Sequence, residues 1–184
     1  MPQDNSELLF AFPAFVRDDV MKMTAALPQP THPTTTTFPV IVEEETVRIP
    51  YRVYHDVALI NQASLSTVQT QFLDCLLTRH HDGYIREEHL KKIVGSNNVW
   101  IPPFVVQLVG EYVIEVLYAI RDALGNLDHS LYRAFLISNP AFLNLTKHRV
   151  ASYRACYYPG VDKSKYVGFE IVSFLDGLMK TPLR

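Results

Sequence analysis

Residues 101–124 read IPPFVVQLVGEYVIEVLYAIRDAL, and this run decides the fold class. Its side chains are apolar on nearly every side. Pro102 and Pro103 suit the first turn of a helix, and Gly125 follows as a stop. The spacing predicts one long helix from about Pro103 to Leu124. A helix that is apolar nearly all round belongs at the centre of a domain. Gln107, Glu111 and Glu115 recur at intervals of four, so a continuous helix would align them in one stripe. Carboxylates in such a place need a cation or a shifted pKa. Gln107, Glu111 and Glu115 are therefore the first candidate ligand or partner site.

The same two glutamates argue against a membrane span. Each costs about 2.5–3.5 kcal/mol at the centre of an inserted helix, and no basic residues anchor the N-terminal side. The sequence therefore predicts no membrane association.

Outward from this run the pattern stays helical. Ser66 with Gln69 forms a capping-box signature ahead of Val68, Phe72, Cys75 and Leu76. Asp82-Gly83 interrupts that helix, and Ile85, His89 and Ile93 carry the next one. Asp128 and Asn139-Pro140 open two more, and residues 166–179 form the last. On the N-terminal side, Val16, Val20, Met23 and Leu27 share a helical face. The stretch LPQPTHPTTTTFP then holds four prolines and five threonines, the composition of an extended connector. Val47, Ile49, Tyr51 and Val53 alternate with Arg48, Pro50, Arg52 and Tyr54. With Val40 and Val42 across Glu43-Glu44-Glu45, they read as a hairpin.

The expected architecture is mainly α. It is an irregular multi-helix domain of six to seven helices around a long central helix, with one N-terminal β-hairpin. The 184 residues fit a single domain, 1–184. Within it lie an N-terminal helical segment (1–27), a Pro/Thr-rich connector (28–37), the hairpin (38–54) and a helical body (64–180). No repeat of fixed period runs through the body.

Composition narrows the function classes. The chain is 48% hydrophobic with net charge −2. Such a balance removes any global drive toward nucleic acid or anionic lipid. Cys75 and Cys156 are too few for a disulfide framework and lie in no CxxC pair. The N-terminus MPQDNSE has no basic, apolar signal-peptide pattern, so the expected location is cytoplasmic. Neither a G-x-S-x-G elbow, a Walker A loop nor a G-x-G-x-x-G turn is present. Nothing in the sequence names a catalytic residue or a cofactor, and the balance leans away from an enzyme.

Two further constellations carry chemistry. Arg79-His80-His81-Asp82-Gly83-Tyr84, with Glu87, Glu88 and His89, gathers imidazoles and carboxylates. His80, His81 and His89 are candidate site residues, but their spacing matches neither H-E-x-x-H nor a calcium loop, so no metal is assigned. Residues 146–166, TKHRVASYRACYYPGVDKSKY, interleave Lys147, Arg149, Arg154, Lys163 and Lys165 with four tyrosines. Lys147, Arg154 and Tyr158 share a helical face and form a candidate anion-binding group.

The leading expectation is a non-enzymatic protein-interaction or scaffold module that self-associates or binds another protein. The first alternative is an enzyme or small-ligand-binding protein with a pocket beside Glu111 and Glu115. The second is nucleic-acid binding through the 147–166 patch, which the absence of any nucleic-acid motif disfavours.

Overall fold

The computed structural model describes residues 5–33 and 36–180. The chain packs as two compact units, residues 1–93 and 94–184. It is mainly α, with one two-stranded antiparallel hairpin near its N-terminus.

The first unit opens with two 3-10 turns, Asn5–Ala11 and Ala14–Val16, which lead into α1 (Arg17–Ala25). The helical face read from Val16 to Leu27 therefore becomes regular α-helix only over Arg17–Ala25. Leu8, Ala11, Phe12, Val20 and Met23 bury one side of this segment against its own unit. Residues 28–33 of the connector adopt neither helix nor strand, and residues 34 and 35 lie outside the described residues.

Strands β1 (Thr37–Val42) and β2 (Glu45–Pro50) pair with Val40 opposite Val47. Phe38, Val40, Val42, Val47 and Ile49 are buried. Strand alternation sends them all to one face. A two-residue turn of this kind needs left-handed backbone at both central positions. Glu43 and Glu44 supply it at φ 48° and φ 65°. The strand ends at Pro50, short of the expected Tyr54; Tyr51 N–H still reaches the Thr36 carbonyl, and the Pro50 and Tyr51 carbonyls turn to Arg79. Val53 instead bridges to His80.

Helices α2 (Thr67–Leu77) and α3 (Gly83–Ile93) complete the unit. Ser66 and Gln69 make the reciprocal capping box that opens α2. Phe72 of α2 meets Phe12 edge to face at 4.9 Å.

The second unit differs from expectation where the fold class was read. The run 101–124 is two helices, α4 (Pro102–Val109) and α5 (Ile114–Ala123). The ladder tightens and stops: Gly110 N–H reaches back to the Gln107 carbonyl and Glu111 N–H to that of Leu108. Glycine is a poor helix former, and the break satisfies backbone groups in other ways. Gly110 also lies against the side chain of Arg149, whose Cβ and Cδ would stand 3.2 Å from an added Cβ. With this run divided, the expected six to seven helices become eight α-helices among the described residues.

Around α4 pack α5, α6 (His129–Ser138), α7 (Pro140–Tyr157) and α8 (Val167–Lys180). Phe104, Val106, Leu108, Leu117, Leu136, Val150 and Ile171 form the core. Asp128 caps α6 by accepting from Leu131 N–H at 3.0 Å. An aspartate just ahead of a helical run predicts that bond. Gly168 lets α8 approach α7, since a Cβ there would stand 2.7 Å from the Tyr166 ring and 2.9 Å from Val150.

Candidate functional site

The break in the central run dissolves the Gln107–Glu111–Glu115 stripe. Gln107 is buried on α4 and Glu111 is buried in the break, only 4% exposed. Glu115 is exposed in the first turn of α5. Glu111 is engaged within the fold. Three positions spaced by four share a helix face only while the helix continues, and here it does not.

The histidine cluster belongs to the first unit. His80 Nε2–H donates to the His55 carbonyl at 3.0 Å, and its Nδ1 accepts the Asp82 N–H at 3.1 Å. Those backbone partners fix the tautomer. Burial lowers the pKa of His80. His55 donates Nε2–H to Asn5 Oδ1 at 3.0 Å. Burial, reinforced by His80, lowers its pKa to about 4. Both imidazoles are therefore neutral at pH 7. The His80 ring has both nitrogens committed to backbone, which suits a structural strap better than proton transfer.

His81 is exposed and stacks on Tyr54 at 5.2 Å. Arg86 sits behind this turn, its Nη1 donating to the carbonyls of His80 and His81 at 2.9 Å each. Arg79 holds the carbonyls of Pro50 and Tyr51 in the same way. Tyr54, His55, Asp56, His80, His81 and Asp82 border an open cleft of about 520 Å³. His55 carried no signal in the sequence reading. Its place after β2 in Tyr54-His55-Asp56 becomes meaningful only when β2 and the α2–α3 turn meet.

His89 stands apart in role from His80 and His81. Its Nδ1 meets Asp74 Oδ1 at 2.6 Å, with both side chains buried, so the pair ties α3 to α2. Cys75 beside Asp74 is wholly buried, and burial raises its pKa well above the ordinary thiol value. A thiol so placed is a poor source of thiolate. Among the described residues, no group of three His, Cys, Asp or Glu side chains is placed to hold a metal ion.

The second unit carries the most extensive exposed constellation. Tyr112, in the break between α4 and α5, stacks on Tyr157 at 5.2 Å and 22°. It meets Tyr153 edge to face at 5.9 Å. Tyr112 remains 42% exposed and Tyr157 57% exposed. Tyr158 O–H donates to the Tyr112 carbonyl at 2.7 Å. The bond captures an acceptor that the helix break releases. Tyr158 also approaches the buried Tyr166 ring at 5.5 Å, and burial pushes the Tyr166 phenol up to about 12.

The candidate anion-binding residues meet partners of their own in this unit. Lys147 pairs with Asp176 at 2.5 Å, and Arg154 donates to the Val161 carbonyl. Tyr158 is held by Tyr112. These internal bonds tie the three residues to α8, to the loop after α7 and to the helix break respectively. The i, i+4 spacing of Tyr153 and Tyr157 was visible in the sequence. Tyr112 was not, because a continuous helix would have placed it elsewhere.

Compared with family profiles, curated proteins and solved structures, the chain matches none. Among the described residues, no helix is long and apolar enough to cross a membrane.

Proposed function

We propose that this chain is a non-enzymatic protein-interaction module whose contact surface is built on Tyr112, Tyr153 and Tyr157. The observation that carries the reading is the tyrosine cluster at the helix break, in which exposed Tyr112 and Tyr157 stack and half-buried Tyr153 meets both rings. Tyrosine offers a large rigid apolar face with one polar tip and little rotamer entropy to lose, so it dominates binding hot spots. Ring contacts among the three hold them in place before a partner arrives, which lowers the ordering cost of association.

Arginines and lysines accompany the rings along the chain. Arg149, Arg154, Lys163 and Lys165 lie in the same stretch of sequence against a single acid, Asp162. Charged rims steer encounters and select partners of opposite sign. The reading therefore favours a partner with an acidic surface. The free thiols Cys75 and Cys156 support a cytoplasmic setting.

The test replaces Tyr157 with a photo-crosslinking benzoylphenylalanine in the full chain expressed in cells. Illumination is expected to give a discrete higher-mass adduct from position 157 and none from exposed Lys92 of α3. Loss of the 157 adduct, with the fold intact by circular dichroism, would overturn the proposal.

A further inference from the structure

The partner of the tyrosine face can be narrowed by charge and by the exposed apolar residues of the first unit. Residues 1–93 carry eight Lys/Arg against twelve Asp/Glu, a net charge of −4. Residues 94–184 carry nine against seven, a net charge of +2. Most cations of the second unit fall in α7 and the turn that follows it, the stretch that carries Tyr153 and Tyr157.

The N-terminal segment of the first unit has a two-sided character. Its inner side packs into its own unit through Phe12, Val20 and Met23. Its outer side exposes Phe10 (53%), Phe15 (64%) and Met21 (52%). Exposed Asp18 lies in sequence between Phe15 and Met21. The cations of the segment are turned onto local partners: Arg17 covers the Phe10 ring at 5.2 Å, and Lys22 approaches Asp19 at 3.9 Å. The outer side therefore presents Phe15 and Met21 beside the Asp18 carboxylate, with the Arg17 guanidinium held over Phe10.

That chemistry complements the tyrosine face, where aromatic rings share a stretch of chain with guanidinium and ammonium groups. We infer that the occupant of the tyrosine face is a second copy of this chain, seated through Phe10, Phe15, Asp18 and Met21 of its first unit. The inference rests on reading the tyrosine cluster as a protein-binding surface. Phe15 and Met21 of one copy cover Tyr112 and Tyr157 of another, and Asp18 faces exposed Lys165 in the turn after α7. Because the two surfaces are different patches, the contact is heterologous. It is made twice in a reciprocal pair, or once per copy in a larger assembly.

The test uses the purified full chain, so that a second copy is the sole partner present. Benzoylphenylalanine at position 157 is expected to yield a chain–chain product whose cross-linked peptide falls within residues 10–22. Sedimentation velocity is expected to show concentration-dependent association that weakens at high salt. Asp18→Lys and Lys165→Glu should each raise the dissociation constant roughly tenfold, and mixing the two variants should recover most of that loss. A chain that sediments as a monomer at its highest soluble concentration overturns the inference. If the cellular adduct then joins position 157 to a different protein, the second copy is excluded and the interaction reading stands. If neither setting gives an adduct, both fail.

Discussion

His80 donates its Nε2–H to the carbonyl of His55 at 3.0 Å, joining the segment after the hairpin to the turn between α2 and α3. The ring's other nitrogen accepts the Asp82 N–H, so the strap works with neutral imidazole alone. Protonation at Nδ1 would set two N–H groups against each other.

The first prediction follows from that donor pattern. Burial lowers the His80 pKa, and burial with the neighbouring His80 lowers that of His55 to about 4, against 6.5 for a solvated imidazole. Below pH 6.5 the unfolded chain takes up these protons and the folded chain resists, so stability falls with pH. The His55 contribution is fully present above pH 6.5 and lost progressively down to about pH 4. It amounts to roughly 2 kcal/mol once solvent screening is allowed for. Urea denaturation from pH 7.5 to 4 should show this decline, and His55→Asn should flatten it. A wild-type profile level across that range would contradict the assignment.

The tyrosine that closes the helix break makes a second point of test. Tyr158→Phe removes the hydroxyl that satisfies the Tyr112 carbonyl and keeps the ring. The expected loss is about 0.5–1.5 kcal/mol, measured by chemical denaturation. Amide exchange should quicken at residues 110–114 before it does elsewhere. Unchanged exchange there would show that the bond does not hold the break.

Close approach between α7 and α8 depends on a missing side chain. Gly168→Ala drives a methyl into Tyr166 and Val150. Overpacking of this kind costs about 1–3 kcal/mol. Gly125→Ala, whose added Cβ has no neighbour within 4 Å, should change stability little and serves as the control. Equal melting temperatures for the two variants would refute the packing account.

The pair between Asp74 and His89 is a structural tie in the core of the first unit. Asp74→Asn keeps the shape and removes the charge-assisted bond at 2.6 Å. The expected destabilisation is about 1–3 kcal/mol, since His89 stays buried with a weaker partner. Asp74→Ala should cost more, because it also strands the imidazole. A neutral result in both variants would remove the pair from the account of stability.

Much of the secondary structure was legible because its causes are local. The Ser66/Gln69 capping box, the Asp128 cap and the two prolines at the start of α4 act within one turn of backbone. Alternation of Val40, Val42, Val47 and Ile49 named the buried face of the hairpin. The site was far less legible. Gln107, Glu111 and Glu115 looked aligned because spacing assumes an unbroken helix. His55 looked like an ordinary loop residue because its partner, His80, is distant in sequence. Tyr112 looked like one residue of a greasy helix.

These failures share a physical origin. Caps, turn residues and hydrophobic period determined the helical class and the hairpin, since each acts through bonds or burial a few residues apart. Whether the run from 101 to 124 stays whole is a different question, decided by groups from α7 and the residue that ends it. Arg149 packs against Gly110, and the Tyr158 hydroxyl takes the Tyr112 carbonyl that the break leaves open. Glycine weakens a helix interior by only about 1 kcal/mol relative to alanine. One long-range hydrogen bond and one close packing contact add to that weakness and fix the break. They turn a predicted central helix into the support of an exposed tyrosine face.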